Sequence, residues 1–294
     1  MRVLLTGAGG MLGGAIQRVA PSAVQLVALR HADLPVEDAR AVERVVQRER
    51  PDWIINCAGY TQVDRAESEP DAAQRVNAVG PANLARAAQE AGARLLHIST
   101  DYVFDGRATR PYREDDPVGP LNVYGRSKLA GEEAVREILP QAHLIVRTQW
   151  LFGVGGPNFV ATVLRLARER PQLKVVNDQH GRPTYTPDLA AALWRLVACD
   201  ARGTVHCAND GEATWFEVAR AAIDVTGLKT VVEACSTDDM PRPARRPPFS
   251  VLDCSKCTAI VGGRLPPWRR LDGSVVRYHF TGLPLAFRGK PEKS

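Results

Sequence analysis

The sequence predicts an α/β protein: a Rossmann-type, doubly wound parallel sheet followed by a smaller C-terminal α/β part. Three observations carry that expectation. Short apolar runs alternate with amphipathic or alanine-rich stretches as far as Trp150, and strands alternating with helices imply a parallel sheet. The first strand–helix junction is the glycine-spaced turn Gly7-Ala8-Gly9-Gly10-Met11-Leu12-Gly13. After Trp150 the alternation loosens, with no sharp linker and no internal repeat.

Val3 to Leu5 is a short apolar run and reads as a buried strand, and Ala15 to Ala20 reads as the first helix. Between them, Gly7 permits the tight turn, Gly10 lets backbone N–H groups approach a phosphate, and Gly13 lets the helix pack close to the sheet. The positive end of the helix then faces the anion. The spacing is G-x-x-G-x-x-G, not G-x-G-x-x-G. A glycine-rich turn is the plainer reading, and its place at the first junction favours a dinucleotide.

Val24 to Leu29 is a second strand, Val36 to Arg50 an amphipathic helix, and Trp53 to Cys57 a third strand ended by Ala58-Gly59. Asp71 to Ala91 is rich in alanine and reads as a helix entered near Asn77, with Gly92 as its C-cap. Arg94 to Ser99 is the fourth strand, Asn122 to Ile138 a helix, and His143 to Thr148 the fifth strand. Beyond Trp150, helices are expected at Phe159–Glu169, Asp188–Cys199 and Thr214–Thr226, and strands at Lys174–Val176 and Thr204–Ala208. The expected division is a dinucleotide-binding Rossmann domain over 1–150 and a mainly substrate-binding part over 151–280, with some returns to the first sheet. A frayed tail is expected over 281–294.

Composition narrows the class. The chain has 294 residues, 45% hydrophobic and 24% charged, enough to bury a sizeable core. Its net charge of +5 is spread along the chain. That suits an anionic small ligand and does not argue for nucleic acid. No apolar run is long enough to span a membrane. The N-terminus enters a strand at once without a signal-peptide pattern, so a cytoplasmic location is expected. Six cysteines are then expected as thiols, and Cys254-x-x-Cys257 lacks the second pair that a zinc site needs.

The chemistry concentrates at Tyr124-Gly125-Arg126-Ser127-Lys128. Residues at i and i+4 share a helix face, so phenol and ammonium point the same way. A nearby cation favours the phenolate, which suits proton exchange with a carbonyl or alcohol. A surface Tyr/Lys pair is the alternative. It loses weight because Thr100 stands where the fourth strand ends, and this fold places its reactive groups at the carboxyl ends of strands.

Taken together, the three glycines, the Thr100 position and Tyr-x-x-x-Lys resemble the extended short-chain dehydrogenases/reductases. The match narrows at Ser99-Thr100-Asp101-Tyr102-Val103-Phe104-Asp105-Gly106, which is similar to the loop of the dTDP-4-dehydrorhamnose reductases. Val63 to Glu67, Asn77-Ala78, Asp178 to Thr184, Arg246-Pro247 and Ser250 to Asp253 resemble that family in the same order, so the likeness covers residues 1 to about 280.

The resemblance implies NADPH-dependent reduction of dTDP-4-dehydro-6-deoxy-L-mannose to dTDP-L-rhamnose, with NADH a possible substitute. Tyr124 would protonate the carbonyl oxygen as hydride arrives. Lys128 would lower the phenol's pKa and hold the nicotinamide ribose, and Thr100 would orient the carbonyl. Gly10, Met11 and Leu12 would contact the pyrophosphate, Ala58, Gly59, Tyr60 and Thr61 would line the cofactor, and Asp33 and Leu34 would lie at the adenine. Thr100, Asp101 and Trp150 would face the sugar, a core role for Trp150 staying open. His180 could be read as a base, but the Asp178–Thr184 loop is expected to shape the sugar or nucleotide site.

Cofactor choice rests on Arg30 at the tip of the second strand, followed by His31. An acid there favours NAD, and an arginine can hold the 2′-phosphate of NADPH; a merely solvated Arg30 is the alternative. Magnesium-dependent dimers of the family use carboxylates, one of them early in the first helix. Gly14, Ala15 and Ile16 supply none, so no metal is expected, while a homodimer stays possible. Two rivals share the fold. One is a non-catalytic NADP-binding regulatory subunit of a methionine adenosyltransferase. The other is another nucleotide-sugar reductase, epimerase or dehydratase. The dehydratases carry Asp-Glu after the Thr, and here Tyr102 follows Asp101.

Overall fold

A computed structural model describes residues 1–269; the expected tail, 281–294, lies outside the described residues. The chain opens β1 (Arg2–Thr6), α1 (Met11–Arg18), β2 (Gln25–Leu29), α2 (Ala39–Glu49) and β3 (Trp53–Asn56). Short helices α3 (Val63–Ala66) and α4 (Pro70–Gln74) run into a π-helical turn at Arg75–Val79 and then α5 (Gly80–Ala91). β4 (Arg94–Thr100) ends in a 3₁₀ turn at Asp101–Val103, and α6 (Val123–Ile138) leads to β5 (His143–Thr148). Then come β6 (Leu151–Phe152), α7 (Phe159–Glu169), β7 (Gln172–Val176), β8 (His180–Gly181), β9 (Thr184–Tyr185) and α8 (Thr186–Ala198). The described part closes with β10 (Gly203–His206), β11 (Ala213–Thr214), α9 (Trp215–Thr226), β12 (Val231–Cys235) and α10 (Ser255–Val261).

Six strands form the main sheet in the order β10-β5-β4-β3-β1-β2, all parallel. Alternation along each strand sorts side chains between two helical layers. Val3, Leu5, Ile55, Leu96 and Val146 face α1 and α8, meeting Ile16, Leu189 and Leu193. Leu4, Ile54, Leu95 and Ile145 face α2, α5 and α6, meeting Val42, Val46, Leu84 and Val135. Each such side chain, fully buried, contributes about 1.5–3 kcal/mol. β10 and α8 come from the second half of the chain yet complete the sheet edge and one helical layer. The indole Nε1 of Trp194 on α8 donates to the Ile16 carbonyl at 3.1 Å and ties α8 to α1.

Two of the expected helices differ from the sequence reading, and α3, β6, β8, β9, β11, β12 and α10 have no counterpart in it. The first helix starts at Met11, not Ala15, because Gly10 already takes the N-cap position without a side-chain bond. The expected helix over 71–91 is broken by the π turn around Asn77. Parallel pairs β7–β12 and β6–β9 and the antiparallel pair β8–β11 make three two-stranded ribbons outside the main sheet. No helix among the described residues is long and apolar enough to cross a membrane.

Candidate active site

A cleft of about 700 Å³ runs along the carboxyl ends of β1, β3, β4 and β5. One end is the glycine turn. Gly7 has φ +69°, and a Cβ on it would lie 2.5 Å from the Ala58 nitrogen. A Cβ on Gly13 would lie 2.3 Å from the Gly7 carbonyl oxygen, so only glycine lets α1 sit this close. α1 carries no side-chain cap and no acid in its first turn. Its orphan N–H groups therefore open onto the cleft, with Gly10, Met11 and Leu12 in the lining. The loop after β6 comes over this turn: the Asn158 side chain lies 3.7 Å from the Met11 sulfur, and Gly155, Gly156 and Pro157 line the same cleft.

Ala58, Gly59 and Thr61 form the next stretch of wall. Asn77 holds it in place from the π turn. Its Oδ1 accepts from the Tyr60 N–H at 2.8 Å, and its Nδ2 donates to the Tyr60 carbonyl and to Ser127 Oγ, each at 3.0 Å. One buried amide thus links the loop after β3 to α6. Tyr60, expected to line the cofactor, is not among the residues that line the cleft. Its phenol is turned away and donates to Glu69 Oε2 at 2.8 Å.

Thr100, Asp101, Tyr124 and Lys128 meet in the middle of the cleft. α6 is started by Asn122, whose Oδ1 accepts from the Gly125 N–H at 2.7 Å. A Cβ on Gly125 would lie 2.3 Å from the Tyr102 carbonyl oxygen, so this glycine lets the start of α6 press against the turn after β4. Burial pushes the Tyr124 phenol up to about 12; the Thr100 hydroxyl pulls it down and the Asp101 charge pushes it up. The expected lowering by Lys128 does not offset burial here, because the ammonium is turned to β4, donating to the Ile98 carbonyl at 2.6 Å. Lys128 is itself brought down to about 8, mainly by burial.

A polar chain behind the lysine explains part of its setting. Thr6 Oγ1 donates to Asn56 Oδ1 at 2.7 Å, and Asn56 Nδ2 lies 3.0 Å from His97 Nδ1. That arrangement makes His97 Nδ1 the acceptor and leaves the hydrogen on Nε2, 3.4 Å from Lys128 Nζ. The ring offers no lone pair to the ammonium. Burial first, then the Lys128 charge, holds His97 well below its ordinary pKa of 6.5.

Aromatic rings close the far end. Trp150 leaves β5 with φ +48° and stacks on Trp215, ring centres 3.6 Å apart and planes 10° from parallel. Phe159 lies against Trp215 at 4.5 Å. Gly181 must be glycine, since a Cβ there would lie 2.5 Å from Trp150 Cε2. The Asp178–Thr184 loop therefore seats the Trp150 ring. Its Arg182 side chain points off to Asp210 at 3.6 Å, and His180 bonds the exposed Glu212 at 3.0 Å. Neither side chain lines the cleft.

The expected adenine contacts lie at the rim. Leu34 is 2% exposed and belongs to the core beneath α2, so only its backbone could touch a ligand. Asp33 Oδ2 accepts from the Arg30 N–H at 3.0 Å. Arg30 is exposed and lies over the glycine turn, its Cγ 3.5 Å from the place of a Gly9 Cβ. Among the described residues no cluster of three or more His, Cys, Asp or Glu side chains could hold a metal, and all six cysteines are free.

Against known proteins, a family model described as the RmlD substrate binding domain matches residues 1–277. The chain belongs to the RmlD family. Among relatives, a dTDP-4-dehydrorhamnose reductase of Streptomyces griseus is 45% identical over 91% of this chain and 90% of its own length. A dTDP-4-keto-6-deoxy-D-glucose reductase of Streptomyces niveus is 39% identical over 97% of this chain and 96% of its own. The crystal structure of the Bacillus anthracis dTDP-4-dehydrorhamnose reductase in complex with NADP superimposes with a TM-score of 0.90. It is 38% identical over 95% of this chain and 98% of that one.

Three members of this RmlD-family site do not stand out as site residues in the sequence. Asn77 belongs there only to a motif without an assigned role. Trp215 shows no local signal beyond opening a helix. Arg246 lines the cleft and grips Asp64 by two hydrogen bonds of 2.7 and 2.9 Å. That grip, led by the Arg246 hydrogen bonds, holds the Asp64 carboxyl below its ordinary pKa. It joins two motifs that the sequence shows only as separate resemblances.

Proposed function

We propose that this RmlD-family protein reduces dTDP-4-dehydro-6-deoxy-L-mannose to dTDP-L-rhamnose with NADPH. The carrying observation is one cleft that holds Thr100, Tyr124 and Lys128 at its centre and the uncapped start of α1 at one end. The residues present fit a dinucleotide. Gly7 and Gly13 let the turn and α1 pack where a Cβ would strike backbone, and the first turn of α1 offers donors without a competing acid. When bound, NADPH supplies the hydride.

The protein's own groups do the rest. Gly10, Met11 and Leu12 would hold phosphate through backbone N–H groups, while Ala58, Gly59 and Thr61 form the wall that Asn77 fixes. Arg30 at the rim would hold the 2′-phosphate, its guanidinium being able to form charge-assisted hydrogen bonds. Lys128, held on the Ile98 carbonyl, would hold the nicotinamide ribose with its remaining N–H groups. Thr100 orients the substrate carbonyl, and Tyr124, neutral at pH 7 with its pKa near 12, gives its proton to the carbonyl oxygen. Trp150 and Trp215 wall the nucleotide-sugar end and exclude water.

The test is incubation with NADPH and, in separate arms, the dTDP-4-keto sugars of the L-rhamnose and 6-deoxy-D-glucose series. NADPH absorbance and product stereochemistry are read. Formation of dTDP-L-rhamnose with the highest kcat/KM supports the reading. Preference for the 6-deoxy-D-glucose series would move the protein beside its Streptomyces niveus relative. No NADPH oxidation in any arm would overturn catalysis itself.

A further inference from the structure

Asp101 is an unusual neighbour for a proton donor. It is 2% exposed, yet it lines the cleft next to Thr100 and Tyr124. Its Oδ1 accepts from Thr100 Oγ1 at 3.0 Å, and its Oδ2 is buried without a hydrogen-bond partner. The Ser250 hydroxyl lies beside the carboxyl and is shared with the His180 carbonyl at 3.4 Å. A buried carboxylate oxygen with no donor is costly; protonation at Oδ1 removes that charge and turns Oδ1 into a donor to Thr100 Oγ1, 3.0 Å away.

Thr100 is built to pass that proton on. Its hydroxyl oxygen already accepts from the Tyr102 N–H at 3.2 Å. One lone pair is left for an Asp101 O–H, and the Thr100 hydroxyl hydrogen, released from Asp101 Oδ1, would be free for Tyr124, which lines the same part of the cleft. We propose that Asp101 is the proton reservoir of the site, recharging Tyr124 through the Thr100 hydroxyl after each turnover.

The proposal rests on the reductive reading above, and its steps balance. Hydride and the Tyr124 proton convert the carbonyl to an alcohol and leave a phenolate. The Thr100 hydroxyl proton moves to that phenolate while the Asp101 carboxyl proton moves to Thr100. Asp101, now a carboxylate, takes a proton from solvent as product leaves and the cleft opens to water.

The surroundings suit the role. Of the titratable groups, Tyr124 on α6 and Tyr102 on the 3₁₀ turn feel the Asp101 charge, while Lys128, Asp64 on α3 and Arg246 line the same cleft. Arg246 is committed to Asp64. Burial pushes Asp101 up to about 7, against the pull of the Ser250 and Thr100 hydroxyls. The acid form is thus present below about pH 7 and lost above it.

Stopped-flow kinetics of the full chain with NADPH and the 4-keto sugar supply the test. Asp101→Asn should cut the steady rate by roughly 10²-fold and the first turnover far less, because Tyr124 starts with its own proton, so a burst appears. Wild-type kcat should fall above about pH 7; the variant should lose that limb and fall only above about 8, where Lys128 titrates. In wild type, infrared difference spectra should show a protonated carboxyl at pH 6 that is gone by about pH 8.5 and missing in Asp101→Asn. Equal slowing of first and later turnovers, or a wild-type carboxyl that titrates in the ordinary carboxylate range, would remove the relay and leave the reductase. A wild type that never oxidises NADPH would remove the reductase reading and the relay with it.

Discussion

Replacing Glu132 by alanine should destabilise the protein more than any surface change. Glu132 is 0% exposed, and its Oε1 and Oε2 accept from Arg147 Nε at 2.9 Å and Nη2 at 2.8 Å. Arg136 also reaches Oε2. The Arg147 side chain is 2% exposed. Without Glu132 its guanidinium keeps only a 3.4 Å contact to the Glu114 carbonyl, a 3.5 Å contact to His206 and the face of Phe104 at 5.1 Å. Removing one partner of a buried pair costs about 3–5 kcal/mol, because the other charge stays buried. At about 1.4 kcal/mol per factor of ten, the unfolding constant should rise by roughly 10²–10³·⁵-fold. The melting temperature should drop by roughly 6–20 °C. Urea unfolding followed by tryptophan fluorescence reads the change. Glu132→Gln, which keeps an acceptor and loses the charge, should fall between. The double change Glu132→Met with Arg147→Met should lie within about 2 kcal/mol of wild type, since an apolar pair can replace a buried ion pair. pH supplies a second check. Burial raises the Glu132 pKa, but Arg147 and Arg136 outweigh it and hold it below 4.5. Its stabilisation is therefore complete above pH 4.5 and fades as pH falls through the lowered value. Glu132→Ala should be less acid-sensitive than wild type over that window. A Glu132→Ala variant within about 1 kcal/mol of wild type at pH 7 would refute the reasoning that Glu132 on α6 neutralises a buried Arg147 on β5.

Three further outcomes are expected. Tyr124→Phe should lower kcat by roughly 10²–10⁴-fold while NADPH still binds; unchanged turnover on any 4-keto sugar nucleotide would exclude Tyr124 as the acid. Arg30→Ala should shrink the NADPH-over-NADH ratio of kcat/KM by about tenfold or more, one charged hydrogen bond being worth about 1.5–3 kcal/mol, and a ratio that does not move would show a merely solvated arginine. Gly181→Ala places a Cβ 2.5 Å from Trp150 Cε2, so KM for the nucleotide sugar should rise while Kd for NADPH holds; equal loss of both would mean that Trp150 does not belong to the sugar side alone.

What the sequence shows, it shows through local pattern. Strands β1 to β5 stand within a residue or two of their expected places because each is an apolar run bounded by turn residues. The start of α1 is hidden because Gly13 and Gly14 weaken helical propensity where packing against β1 demands a helix. Strands of two residues, such as β6 and β8, are too short to show a period. The Asp64–Arg246 pair spans 182 positions, and no local pattern links its ends. Tyr124 and Lys128 can be placed on one helix face from spacing alone, but their pKa values depend on burial and on which way the ammonium turns. Tyr60 stands in the expected loop, yet Glu69 decides where its ring goes.

The π turn at Arg75–Val79 has a consequence for how this chain tolerates insertions and deletions. A π turn amounts to one residue inserted into a regular helix, and each helical residue rotates the rest of the helix by about 100°. Removing one residue there would leave an unbroken helix of high propensity that looks harmless in sequence. It would also swing the face that carries Pro81, Leu84 and Asn83 away from its packing. Asn77 would leave its place between Tyr60 and Ser127. Natural length changes in this family should therefore avoid the stretch between α4 and α5 and collect in the loops around it. A single-residue deletion scan across 70–91 should show its sharpest loss of folded, NADPH-binding protein at the turn itself.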